Sequence, residues 1–365
     1  MKDRHDAIVE LRAAVVQSPM PEPVAAGLWL LENIYNVVVE VRSASRLSGI
    51  GYAFVFRKPD AETILSAVSS FRELVINRDP LDNVRLHADL RAAANFVGAS
   101  GAAMSAIGAI DLAIWDLKGN LLEVPVHSLL GSSQTRIPAY ASGGSFQKSL
   151  DELLGEVEGY LARGFKAVKI KLPPDVKAAC KRIAACRSWV SDDVKMMYDS
   201  NQQLVYKDAM VIAQCCVDNG AYWYEEPFPY WQLSSYADLR RTIQCRLALG
   251  ETFYGEVPFY DAVSARAADV LMLNLHKIGG VTAWTRIAAL GALAGIPISS
   301  HTMPEVSAQV MAATPKADML EYMEDSRPLF EEPFPIEDGC LVIPSDQPGF
   351  GLNPSKLVRE ALGIA

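Results

Sequence analysis

Asp199, Glu225 and Glu251 each close a short apolar run, and 26 residues separate each from the next. The runs are Met196-Met197-Tyr198, Tyr222-Trp223-Tyr224 and Leu247-Ala248-Leu249-Gly250. An interval of that size suits a β-strand, a helix and their loops, since eight such units build a barrel of roughly 250 residues. Three consecutive strands would then each deliver one carboxylate to the same rim. Converging carboxylates repel one another unless a cation joins them, and an all-oxygen set with room for water and substrate suits Mg²⁺. The pattern is that of a metal-dependent enzyme.

Upstream lies Lys166-Ala167-Val168-Lys169-Ile170-Lys171. Lys169 and Lys171 alternate with Val168, Ile170 and Leu172, so in a strand both point to one face, the polar mouth. Two neighbouring ammonium groups depress each other's pKa, and a lysine so lowered can act as a base near neutrality. The bland alternative is a solvated pair at a strand edge. Downstream, Asn274 ends Val270-Leu271-Met272-Leu273, His301 ends Pro297-Ile298-Ser299-Ser300, and Glu321 ends Asp318-Met319-Leu320. Each falls where a barrel strand meets its following loop, the end at which barrel enzymes carry catalytic groups.

The elements that must position these groups follow from pattern. Strand candidates from Arg136 onward are 137–142, 167–172, 195–199, 222–225, 247–251, 270–274, 296–301 and 319–321, with helical periods between most of them, such as Thr282–Leu293. Eight such strands in alternation predict a parallel barrel. Before them, residues 7–57 read as strands, with Ile34–Val41 β-branched and Ser48-Gly49-Ile50-Gly51-Tyr52 a turn into a partner strand. Residues 61–130 read as helices, so the first part is an α+β module. We divide the chain into residues 1–133, 134–328 and a Pro- and Gly-rich 329–365 that returns to the first module. Its Glu331-Glu332-Pro333 follows no apolar strand and is read as a loop feature.

The chain has 365 residues, half of them apolar, with mean hydropathy +0.11, enough for a sizeable core. A net charge of −9 leaves no basic field for nucleic acid. Anionic substrates must be drawn in locally. The cysteines (Cys180, Cys186, Cys215, Cys216, Cys245 and Cys340) show no CxxC spacing and are read as inert thiols of a reducing compartment. With no apolar signal segment and no run of eighteen apolar residues, a soluble cytoplasmic protein without membrane contact is expected.

Taken in order, Lys-x-Lys, Asp199, Glu225 in Glu-Glu-Pro, Glu251 in Gly-Glu-Thr, Lys277-Ile278-Gly279-Gly280-Val281, Ser-Ser-His301, and Ala-Ala-Thr-Pro before Leu-Glu321 resemble the enolase superfamily, mandelate racemase subgroup. Ala109–Asp116 of the first module shares the resemblance, which covers nearly the whole chain. It implies an N-terminal α+β capping domain, a modified (β/α)7β TIM barrel, Mg²⁺ on Asp199, Glu225 and Glu251, and a homo-oligomer, an octamer in the family. It implies a small-molecule carboxylate substrate that loses its α-proton to give an enediolate. Lys171 is then the base, Lys169 tunes it and contacts the carboxylate, Glu321 donates a hydrogen bond to the enediolate, and His301 serves the opposite face. Ser142, Asn201, Trp29 and His276 are the candidate substrate contacts. The physical demand stands by itself: a proton beside an anionic carboxylate is barely acidic until positive charge gathers on the developing dianion.

One departure bears on the reaction. Where the subgroup's racemases carry an aspartate paired with the histidine, this chain has Asn274. An amide orients the ring but does not stabilise imidazolium, so His301 is expected to be a weakened base. Racemisation needs competent groups on both faces; dehydration needs one strong base and help for the departing hydroxide. His276 either restores a second base or is a loop histidine without catalytic use. The apolar Pro23–Leu31 either covers a substrate with an apolar portion or is plain core. Dehydration of a hydroxy acid, of the sugar-acid class, to a 2-keto-3-deoxy acid is therefore the expectation, with racemisation or epimerisation of a 2-hydroxy acid second and a catalytically silent binding protein third.

Overall fold

The computed structural model describes residues 6–26 and 29–364; the side chains of residues 21–26, 29–31 and 324–326 lie outside that description. Three antiparallel strands open the chain: β1 (Ile8–Ala26), β2 (Trp29–Ser43) and β3 (Ser48–Val55). Their alternation gives the sheet two apolar faces. Val37, Val39, Val41 and Ala53 pack on the helices Lys58–Ser70, Asn83–Ala94 and Gly101–Leu122, while Val16, Ile34, Val38, Tyr52 and Phe54 join the core of the second part. Gly49 and Gly51 lie inside β3 and do not form a turn. A Cβ at either would sit 2.2 Å from a carbonyl of the Gly101–Leu122 helix, so both record close approach of strand and helix.

The second part is a ring of parallel strands: β4 (Arg136–Gly143), β5 (Ala167–Lys171), β6 (Lys195–Asp199), β7 (Trp223–Glu225), β8 (Leu247–Leu249), β9 (Val270–Leu273), β10 (Ile298–Ser300) and β11 (Leu320–Tyr322). Neighbours pair in chain order from β4 to β10, and β11 pairs with β4. Between β10 and β11 the ladder is thin. The Ile298–Ala317 bridge begins it, and the N–H groups of Met319 and Glu321 donate to the hydroxyls of Ser299 and Ser300. Helices fill every β-to-β connection from β4 to β11, and a 3₁₀ turn, Glu324–Leu329, follows the last strand. This is the (β/α)7β barrel with a capping domain. The strands fall within a residue or two of their expected limits, as is normal for element ends.

The tail does two things. β12 (Ile336–Glu337) and β13 (Cys340–Val342) form a hairpin whose second strand pairs antiparallel with the start of β4, an element not expected from sequence. The Lys356–Leu362 helix then reaches β1 of the first module. Glu331 lies in a loop and pairs with Arg359.

The cysteine expectation needs correction. Cys180 and Cys215, from the adjacent outer helices Val176–Trp189 and Tyr206–Asp218, form a disulfide with Cα atoms 5.7 Å apart. Cys186, Cys216 and Cys245 are buried free thiols. No helix among the described residues is long and apolar enough to cross a membrane.

Candidate active site

At the carboxyl ends of β6, β7 and β8, oxygens of Asp199, Glu225 and Glu251 lie within 4.8 Å of one another. Donors hold the carboxylates of Asp199 and Glu225, and His301 Nε2 lies 3.3 Å from that of Glu251. Asn201 donates to Asp199 through its backbone N–H (2.7 Å) and its amide (2.9 Å), and Trp223 Nε1 donates to Glu225 at 2.8 Å. Lys277 Nζ donates to the Glu251 carbonyl at 3.1 Å.

The two lysines of β5 part company. Lys169 is 2% exposed, with Nζ 2.6 Å from Glu225 Oε1 and 2.8 Å from Glu321 Oε1. Burial disfavours its charge, but those two carboxylates outweigh it and hold the ammonium well above the usual lysine range. The expectation that the lysines depress each other is therefore corrected: Lys169 is a buried cation held by Glu225 and Glu321. Lys171, 19% exposed, is the one that reaches the mouth, 3.0 Å from Asn201 Oδ1 and 3.5 Å from Asp199 Oδ2.

Glu321, mid-strand in β11, accepts from Lys169 and, at 2.8 Å, from the backbone N–H of Thr302; Ser142 is a further hydrogen-bond partner. Burial works against its charge, yet Lys169, His301 and these bonds bring it down to about 2. Glu321 is thus an ionised acceptor, and the donor role expected of it requires a proton that this arrangement does not favour. Glu251 is likewise brought to about 2, His301 and both lysines overcoming burial.

His301 stands between carboxylates and amide. Its Nε2 is 3.3 Å from Glu251 and 3.9 Å from Glu321, and its Nδ1 is 2.9 Å from Asn274 Nδ2. The amide's orientation is fixed independently, because Asn274 Oδ1 accepts the backbone N–H of Lys277 (3.2 Å) as the cap of Leu275–Ile278. An N–H can only donate, so oxygen must face Lys277 and NH₂ must face the ring. Nδ1 is then an acceptor and the proton of the neutral ring sits on Nε2. Burial holds His301 below the ordinary imidazole range, against the pull of Glu251 and Glu321.

The remaining candidates are placed differently. Ser142 and Asn201 serve Glu321, Asp199 and Lys171. His276 turns to the capping domain, with Nδ1 3.2 Å from Ser105 Oγ and its ring edge-on to Phe54 at 4.9 Å. Burial pushes its pKa well down. The side chain of Trp29 lies outside the described residues; the backbone of the Pro23–Leu31 stretch runs along β1 as far as Ala26 and along β2 from Trp29. Sequence reasoning missed Lys277, Thr302 and Glu226 as parts of the site. Glu226, buried beside the mouth and pushed up to about 8 mainly by that burial, accepts from Gln202 and from Gly250 N–H. The doubled Glu-Glu and the Lys three residues past Asn274 were the available signals.

Charge decides what the site holds. The carboxylates of Asp199, Glu225, Glu251 and Glu321 outnumber the ammonium groups of Lys169, Lys171 and Lys277 around them, so an added cation is favoured. An all-carboxylate, partly open set fits Mg²⁺.

A barrel whose mouth gathers three metal-binding carboxylates, a lysine and a histidine beneath a capping domain defines an enzyme that ionises carbon acids. Residues 9–131 match the mandelate racemase/muconate lactonizing enzyme N-terminal domain, and residues 152–358 match the enolase C-terminal domain-like family. The chain belongs to the enolase superfamily, in its mandelate racemase subgroup. It is 26% identical to L-talarate/galactarate dehydratase of Salmonella typhimurium, over 97% of this chain and 91% of that one. It is 26% identical to an L-Lys-D/L-Arg epimerase of Methylococcus capsulatus, over 94% and 98%. The solved structure of L-talarate dehydratase from Polaromonas sp. JS666, complexed with Mg and L-glucarate, superposes with a TM-score of 0.90 at 28% identity, covering 97% of each chain.

Proposed function

We propose that this protein dehydrates a hydroxy acid, of the sugar-acid class, to a 2-keto-3-deoxy acid by removing the proton α to the carboxylate. The observation that carries this choice is the amide of Asn274 donating to Nδ1 of His301. A ring with its proton on Nε2 presents no lone pair to the mouth, so it is not a second base. Charging it would set Nδ1–H against the Asn274 NH₂ and cost a buried hydrogen bond, about 1–3 kcal/mol.

Asp199, Glu225 and Glu251 would hold Mg²⁺, which when bound supplies Lewis-acid stabilisation of the second negative charge on the substrate carboxylate. Lys171 takes the α-proton, its Nζ oriented by Asn201. Lys169 contributes fixed positive charge from below and bridges Glu225 and Glu321. His301, through Nε2–H, donates a hydrogen bond to the departing β-hydroxyl. Elimination expels the β-hydroxyl as hydroxide, which becomes water by taking up the proton that Lys171 removed, and leaves the enol, which tautomerises to the keto acid.

The test is a screen of sugar acids and aromatic 2-hydroxy acids with Mg²⁺ in deuterated water. Keto-acid formation from a sugar acid is expected, abolished by Lys171→Ala. Deuterium exchange with inversion and no keto acid would refute dehydration. It would favour the epimerase reading, which draws support from Lys171 and His301 both lining the mouth and from the name of one relative. We further propose a cytoplasmic homo-oligomer, an octamer as the resemblance implies, divided after residues 133 and 328; a monomer in sedimentation velocity would overturn the oligomer.

A further inference from the structure

We propose that Arg182 is a positioning residue for the base, acting through the β4 loop; the proposal rests on the reading of Lys171 as that base. Arg182 belongs to the outer helix Val176–Trp189, yet it is 5% exposed and turned inward. Its Nη1 donates to the Lys148 carbonyl at 3.1 Å, and its Nη2 to the carbonyls of Gly144 (3.0 Å) and Ser145 (2.6 Å). A guanidinium is a rigid planar fork, so three carbonyls on it fix the path of a loop as one ammonium could not.

That loop lies directly against the base. The Gly144 carbonyl bound by Arg182 also accepts the backbone N–H of Lys171, at 3.3 Å. Gly144 has φ +64° and no room for a side chain, since a Cβ would meet Ile170 at 2.9 Å. Its N–H donates to Glu156 Oε1 at 3.1 Å, so the peptide is gripped from both sides. On the same strand end, Ser142 lies in register with Lys169 and hydrogen-bonds Glu321. One buried cation thereby sets the height of the β4–β5 rim. It touches neither the metal-binding carboxylates nor the mouth among the described contacts.

A misplacement of about 1 Å at a reacting group can cost on the order of 10²-fold in rate. Arg182→Met removes all three donations, and Arg182→Lys restores part of the charge without the fork. In the Mg²⁺-loaded enzyme, kcat for α-proton exchange should fall on the order of 10- to 100-fold in Arg182→Met, with Arg182→Lys between it and the native protein. KM and Mg²⁺ affinity should stay within about twofold, because Asp199, Glu225 and Glu251 are untouched. An unchanged kcat, or KM and Mg²⁺ affinity lost in step with kcat as for general loosening, would overturn the inference. Should Arg182→Met fail to fold, Arg182→Lys alone must show the kcat-selective loss. Lys171→Ala separates the two readings: if it leaves exchange intact, the base assignment has failed; if it abolishes exchange while the Arg182 variants behave like the native protein, only the positioning role has.

Discussion

Two sets of buried carboxylates in this protein solve the same problem in opposite ways. Where the capping domain meets the barrel, Asp111 accepts the N–H and hydroxyl of Thr282 (2.9 and 2.6 Å), and Asp116 accepts the N–H groups of Ile50 and Phe350 (2.8 and 2.7 Å). Neutral donors satisfy them, and among the described residues neither forms an ion pair with a lysine or arginine. At the barrel mouth, Glu251 and Glu321 face lysines and a histidine. Burial therefore lifts Asp111 and takes Asp116 to about 7, while countercharge brings Glu251 and Glu321 to about 2. Neutral donors join two parts of a chain; paired charges at the mouth suit a site that takes in a cation and moves a proton.

The comparison breaks most visibly if the mouth works without its cation or its base. Chelation should abolish α-proton exchange and Mg²⁺ should restore it, measured by deuterium incorporation; full activity in chelator would end the metal reading. Lys171→Ala should lower exchange on the order of 10³-fold or more, the range associated with loss of a positioned base. Circular dichroism should remain native, because Lys171 is not part of the core.

Next in size is the pH dependence of stability, where the two regions should pull in opposite directions. Asp116 has a folded pKa raised from 3.8 to about 7, so its contribution is whole below about pH 4 and is lost as pH rises through 7. At about 1.4 kcal/mol per unit, the loss is at most about 4 kcal/mol. Glu251 and Glu321 are lowered from 4.5 to about 2, so what they contribute is present above pH 4.5 and lost as pH falls through 2. Melting temperatures between pH 4 and 8 should fall less steeply in Asp116→Asn than in the native chain. Equal slopes would remove Asp116 from the account. Asp111→Ala should cost about 3 kcal/mol at fixed pH by stranding both donors of Thr282, read from urea unfolding. A loss under about 0.5 kcal/mol, typical of a featureless surface position, would show the seam does not depend on it.

The barrel and its metal-binding carboxylates were legible because each strand is an apolar run ended by one polar residue, which is what a closed sheet with a single working rim demands. Depth was not legible. Lys169 and Lys171 share a face, but two residues of strand rise are about 7 Å, enough to bury one lysine among glutamates and leave the other at the mouth. The Cys180–Cys215 bridge was hidden for a related reason: it joins neighbours on the outside of the barrel, and nothing in the local spacing of either cysteine marks its partner. The β12–β13 hairpin is too short to show a period. The protonation of His301 depends on a cap made to the backbone of Lys277, a contact that residue types alone do not reveal.

Asn274→Asp is the smallest of the expected effects and the one that discriminates best. The carboxylate can accept the Lys277 N–H and an Nδ1–H together, so the ring's proton moves to Nδ1, Nε2 gains a lone pair toward the mouth, and the imidazolium is stabilised. If His301 serves as a hydrogen-bond donor to a leaving hydroxyl, dehydration should fall about tenfold, equivalent to about 1.4 kcal/mol of transition-state stabilisation. If the native protein is an epimerase whose second base is impaired, inversion should rise by a similar factor. Loss of the Lys277 cap alone would lower both rates together, and Asn274→Ala supplies that control. Keto-acid release and inversion, measured side by side in the three proteins, therefore assign the role of His301 by sign: a gain in inversion with dehydration unchanged would reverse the choice of reaction.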